Sequence, residues 1–179
     1  MRKARSVAML TALILCFGSL LGACGSSDDA KAQQNISDFL VKANKSPQLA
    51  SPFFSIKRKD ADCIAKGLVD KIGTDQLKKY GLLDKNLHVQ NITHLTMSKA
   101  DAEKATDTAF ACTDVVAKER KAVAASGQVP KAMRPCLSKV LTEPNLRRLF
   151  VAVFQGDQNA AQRELVRPML KCALGSKGQ

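Results

Sequence analysis

Asp60-Ala61-Asp62-Cys63-Ile64-Ala65-Lys66-Gly67-Leu68-Val69-Asp70-Lys71-Ile72 decides the fold. Ile64, Leu68 and Ile72 recur at four-residue spacing with Cys63 and Val69 beside them, so the apolar side chains share one stripe of a helix. Gly73 follows as a stop signal. Downstream the same pattern returns repeatedly. Thr74 opens a short helix carrying Leu77 and Tyr80, which Gly81 ends. Ser98-Lys99-Ala100-Asp101 resembles a capping box with Asp in place of Glu. It opens the longest predicted helix, through Ala102, Ala105, Ala109, Cys112, Val116 and Val123, whose small side chains allow a neighbouring helix to approach closely.

Gly127 to Pro130 reads as a loop, followed by a helix from Lys131 or Pro135 to Leu141. Thr142 and Pro144 open another, with Leu146, Leu149, Phe150 and Val153 on its apolar face and Gly156 at its end. Asp157 caps a last helix through Leu165, Met169 and Cys172, in which Pro168 removes a backbone donor and predicts a kink. Leu87-His88-Val89 alternates like a strand without an evident partner and is read as extended connection. On the N-terminal side, Ile36, Phe39, Leu40 and Ala43 predict a short helix to about Asn44. Ser46-Pro47 and Ser51-Pro52 break it, and Phe53-Phe54 in the connection are expected to dock on the domain. Gly25 to Gln34 reads as a flexible spacer. The expected fold is all-α, a small bundle of about six helices.

Cys63-Ile64-Ala65-Lys66-Gly67-Leu68 aligns with Cys136-Leu137-Ser138-Lys139-Val140-Leu141, and each is followed by a threonine-led helix. Each half closes on a further cysteine, Cys112 or Cys172. The pattern is that of a duplicated three-helix unit. Cys63, Cys112, Cys136 and Cys172 allow three pairings or four free thiols. The repeat favours Cys63–Cys112 and Cys136–Cys172, each worth roughly 4 kcal/mol by loop entropy. No Cys-x-x-Cys spacing is present, which speaks against a zinc site and against thioredoxin-like redox chemistry.

Charge and export are read from the other end of the chain. Arg2, Lys3 and Arg5 precede an uncharged, mostly apolar run from Val7 to Leu21, the form of a secretory signal. The run is short for a membrane span, which needs ~20 residues. It ends in Leu21-Gly22-Ala23-Cys24, which resembles the lipobox of bacterial lipoproteins. That resemblance covers the first 24 positions. It implies cleavage between Ala23 and Cys24 and a diacylglycerol on Cys24, with further acylation of the new N-terminus. Of the 179 residues 23 then leave with the signal and 156 remain, and the charge of +12 falls to +9 because three cations leave. Two or more acyl chains hold a protein durably at a bilayer. The implied location is the outer side of a membrane in a bacterial cell envelope, where disulfides persist.

The expected organisation is therefore 1–23 signal peptide, 24–35 flexible tether, 36–58 short helix and Pro-containing connection, and 59–179 disulfide-stapled helical domain. At 45% hydrophobic and 25% charged residues it is globular material, and with 4% aromatics and no Trp its core is aliphatic. Motifs for hydrolysis, phosphate cradling and zinc proteolysis are absent. His88 and His94 are read as loop histidines, and no cofactor or metal is expected. The basic clusters supply Lys78, Lys79, Lys118, Arg120, Lys121, Arg147 and Arg148 as a candidate cationic surface. They lack the interleaved aromatics of single-strand binders, and export removes nucleic acid as a partner. The expected partners are the membrane, through Cys24, and an envelope protein or anionic polymer, met by a non-catalytic binding module. A carrier of a small apolar or lipid ligand is the alternative, with Leu146, Phe150, Phe154, Met169 and Leu170 as the lining. An enzyme with a scattered site is a third class.

Overall fold

The computed structural model describes residues 26–43, 56–90, 95–125 and 129–175. The segment expected to be a signal peptide, Cys24, Phe53-Phe54 and His94 lie outside these described residues. The chain is all-α. Its elements are α1 (Ser27–Ala43), α2 (Arg58–Ile72), α3 (Thr74–Lys79), α4 (Lys99–Cys112), α5 (Val115–Ala125), a 3₁₀ turn (Lys131–Met133) leading into α6 (Arg134–Val140), α7 (Glu143–Phe154), α8 (Gln158–Ala161), a π-helical stretch (Gln162–Val166) and α9 (Arg167–Gly175). Among the described residues the only β pairing is one antiparallel bridge, Leu83 to Val89.

Three expectations change. Residues 27–35, read as spacer, are helix, with Ala32 and Ile36 in the core. The missed signal is Ser26-x-x-Asp29, a reciprocal capping box in which each backbone N–H donates to the other's side chain at 3.1 Å. The long helix expected from Ser98 is two helices, because Thr113 is extended (φ −153°, ψ 149°). Its hydroxyl turns to Asp60 at 3.1 Å, and Asp114 restarts the chain by accepting the Ala117 N–H at 2.9 Å. The segment around His88 does have a partner, only six residues upstream. Asp84 Oδ1 accepts the N–H groups of Asn86 and His88 at 2.8 Å, and Leu87 takes φ 69° to close the turn. Just before Pro168 the helix widens into the π-helical stretch Gln162–Val166, a place where helices commonly bend.

The half-correct case is the cap at Ser98. Its side chain accepts the Asp101 N–H at 3.2 Å as expected. The return bond runs through Tyr80, whose hydroxyl accepts the Ser98 N–H at 3.2 Å and donates to Asp101 at 2.8 Å. Lys104 and this Tyr80 bond hold the Asp101 carboxyl below its ordinary value.

Neighbouring helices run antiparallel. Asp29 meets Thr74 while Asp38 meets Arg58, which sets α1 against α2. Cys63 bonds Cys112, and a Cβ at Gly67 would lie 2.5 Å from Thr108 Cγ2, which sets α2 against α4. The close approach expected of a small-residue stripe is there: Ala61, Ala65, Ala102 and Ala105 are all at most 1% exposed. Asp107 meets Arg147 and the Met97 N–H donates to the Phe154 carbonyl at 2.8 Å, which sets α4 against α7. Gly156, at φ 69°, ends α7 against the Leu95 carbonyl, which a Cβ would approach to 3.0 Å.

Two apolar clusters result. One joins α1 to α4 through Ile36, Ile64, Leu68, Leu77, Leu83 and Met97. The other joins α5 to α9 through Val115, Val123, Leu137, Leu141, Leu146 and Cys172. The second disulfide is Cys136–Cys172, and both disulfides have Cα atoms 5.6 Å apart. Each half thus staples its first helix to its last, as the repeat implies. The middle helices differ, α3 having 6 residues and α7 having 12.

Candidate functional site

Most of the cations singled out by clustering belong to the fold. Lys118 pairs with Asp60, both side chains under a quarter exposed, and with Thr113 it holds the Asp60 carboxyl below its ordinary value. Arg147 reaches Glu143 at 2.8 Å and Asp107 at 2.6 Å, with its guanidinium 4.5 Å from the Phe110 ring centre. These partners raise its affinity for its proton further. Arg148 bonds Glu164 at 2.7 Å and Asn145 at 2.6 Å. Arg120 donates to the carbonyls of Leu141 and Ser138, both at 3.2 Å, closing the C-terminal end of α6. Lys78 lies 3.3 Å from Asp75. Lys79 and Lys121 are exposed and pair with no described residue. Adjacent basic residues were a poor guide because Arg147 and Lys78 meet carboxylates one turn away, while Lys118 and Arg148 meet distant ones.

The charge itself divides along the two apolar clusters. Residues 25–114 carry 13 Lys+Arg against 12 Asp+Glu, and residues 115–179 carry 12 against 4. All four acids of the second half are engaged. Glu143 and Glu164 hold arginines, Asp157 accepts the Ala160 N–H at 2.8 Å, and Glu119 is buried. Burial pushes the Glu119 carboxyl up to about 8, so the folded chain keeps it largely uncharged at neutral pH. The positive excess therefore stays uncompensated on Lys121, Lys131, Lys139, Arg163, Arg167 and Lys171, which are exposed and form no ion pair with a described residue. Sequence reasoning passed over most of these because they are solitary; the contrast in charge between halves would have revealed them.

The five apolar residues expected to line a pocket fall in different surroundings. Leu146 is 2% exposed in the second cluster, which Met169 also joins. Phe150 stands edge-on between Phe110 and Phe154, at 5.7 and 6.0 Å, and Phe154 packs on the first cluster. Leu170 is 56% exposed on the surface of α9. Leu146, Phe150 and Met169 thus pack together in the second cluster, and the Phe150–Phe154 ring contact links it to the first.

Open grooves are seen among the described residues. One, of about 520 Å³, lies where α4, α5 and the start of α7 meet, between Phe110, Val116, Asp114 and Glu143. Both its carboxylates are occupied, Asp114 capping α5 and Glu143 holding Arg147. Another, of about 450 Å³, lies between Ser26, Asp29, Thr74 and Lys79. Among the described residues no three His, Cys, Asp or Glu side chains are grouped to bind a metal. No described helix is long and apolar enough to cross a membrane. His88 is exposed beside Asp84 at 3.5 Å. The chain matches no protein-family model, no curated protein and no solved structure.

Proposed function

We propose that this chain is a membrane-anchored envelope lipoprotein, tethered through Cys24, whose helical domain binds an anionic envelope component without chemistry of its own. The anchor rests on Leu21-Gly22-Ala23-Cys24 at the end of a signal-like segment. The binding role rests on one observation above the rest. In the second half three of the four acids are paired or capping and Glu119 is buried, while six exposed cations form no ion pair with a described residue. A protein gains nothing in folding from an unbalanced like-charged surface, whose self-repulsion opposes compaction; a polyanionic partner gives it a use.

The anchor is tested by feeding a clickable fatty acid to cells expressing the chain. Label on the wild type and none on Cys24→Ala is expected. Equal labelling of both, or none on either, refutes the lipid anchor.

A further inference from the structure

The antiparallel stack places the two proposed attachments at opposite ends of the molecule. Ser26 lies beside Asp29 and Thr74, at the end where α2 finishes and α4 begins. From there α1 runs 17 residues to the end where α2 starts, marked by Asp38 with Arg58. At 1.5 Å per residue this is about 25 Å. Cys112 leaves α4 at that distal end, where it is bound to Cys63. There α5 begins, with Lys118 on Asp60. The distal end also receives α6 beside α5 and, through Cys136–Cys172, the end of α9. Lys121, Lys131, Lys139 and Lys171 thus sit on elements gathered at the far end from Ser26. Around Ser26 itself stand Asp28, Asp29 and Asp75, with Lys79 among them.

We infer that the domain is a bipolar strut, with its N-terminal end at the membrane and its lysine-bearing end turned outward to an anionic cell-wall polymer. This deepens the reading above and rests on the anchor at Cys24. Cys24 is two residues from Ser26, a reach of about 7 Å. A lipid there holds this end, where Lys78 and Lys79 stand among three aspartates, against the headgroups. The distal lysines then stand more than two Debye lengths away, since that length is about 8–10 Å at 0.1–0.15 M salt. Headgroup charge is screened over that gap, so the lysines are placed for something beyond the membrane.

The choice of side chain narrows the partner. The forked guanidinia of Arg120, Arg147 and Arg148 are used inside the fold, on carbonyls and carboxylates. What the distal end offers is four lysines on separate elements, with Arg163 and Arg167 extending the row at four-residue spacing before Lys171. The set is led by lysine, a hydrated point charge without bidentate geometry, and its two arginines lie a full turn apart on one helix. Such a set suits a polymer of repeated carboxylate or phosphate groups, met many times and weakly, better than one shaped acidic epitope.

The test uses the full chain carrying Cys24→Ser and bacterial wall sacculi that retain their covalently attached anionic polymer. Co-sedimentation should fall about tenfold on removing the polymer from the sacculi, and as steeply when salt shortens the Debye length to about 3 Å at 1 M. Joint replacement of Lys121, Lys131, Lys139 and Lys171 by Glu should abolish it. The four Lys→Gln changes should weaken it with the far-UV circular dichroism unchanged, and Lys79→Glu at the other end should leave it intact. Orientation is read separately: lipidated wild type on phosphatidylglycerol vesicles should bind soluble polymer as well as the lipid-free chain does. Equal binding to stripped sacculi, preference for phosphatidylglycerol vesicles or for an acidic protein, or indifference to the lysine changes overturns the polymer partner. Loss of polymer binding on the vesicles overturns the outward orientation. Fatty-acid labelling fails or succeeds independently, so a missing anchor is told apart from a missing partner.

Discussion

Glu119 allows a quantitative prediction about pH. It lies one turn from Val115 and one turn from Val123 on the inward stripe of α5 and is 4% exposed. No hydrogen bond to its carboxylate comes from a described residue, and burial pushes it from an ordinary 4.5 up to about 8. Between those pH values the folded chain holds a proton that the unfolded chain has released. The unfolded state binds fewer protons, so stability falls as pH rises through this window. It is fully present below 4.5 and level again above 8. At 1.36 kcal/mol per pH unit, the loss across the window is on the order of 5 kcal/mol. Glu119→Gln keeps the shape of the protonated acid and removes the titration. Urea unfolding without reductant, followed at 222 nm because there is no Trp, measures both chains. They should coincide near pH 4.5. Near pH 9 the Gln chain should unfold on the order of 2 M urea later, for a slope of 1–3 kcal/mol/M. A gap that stays constant across pH refutes the assignment, because every other titrating group is common to both chains.

Other outcomes concern the staples and the closest helix contact. Removing Cys63–Cys112 or Cys136–Cys172 by paired Ser substitution opens loops of 49 and 36 residues and should each cost roughly 4 kcal/mol, read as a lower urea midpoint under oxidising conditions. Gly67→Ala gains about 1 kcal/mol of helix propensity but drives a Cβ to 2.5 Å from Thr108 Cγ2. Thr108 is fixed by its bond to the Lys104 carbonyl at 2.8 Å, so overpacking of about 1–3 kcal/mol should prevail. Adding Thr108→Ser, which deletes that methyl, should restore the midpoint; a Gly67→Ala chain more stable than wild type refutes the contact.

Much of the fold was legible because it depends on local patterns. The four-residue apolar spacing of α2 and α7 and the glycine stops at 73, 81 and 156 need only neighbouring residues to be recognised. The cysteine pairing was legible for a different reason: similarity between halves carried long-range information. Where local patterns compete with distant partners the sequence misled. Thr113 abandons a helical continuation because Asp60, 53 residues away, accepts its hydroxyl. The polar run before Gln34 becomes helix because α2 and Leu87 cover its inner face, the Asn35 amide donating to the Leu87 carbonyl at 2.8 Å.

The candidate surface divides the same way. That the chain is basic, and where its cysteines and helices lie, the amino-acid sequence determines by itself, since composition and short-range spacing need no folding. Which cations are spare and which end they occupy, only the tertiary structure decides. Arg147 is taken by Asp107, 40 residues earlier, and Lys118 by Asp60, 58 residues earlier. Charge compensation acts through space over a few ångströms, and the antiparallel packing of helices determines which residues come that close.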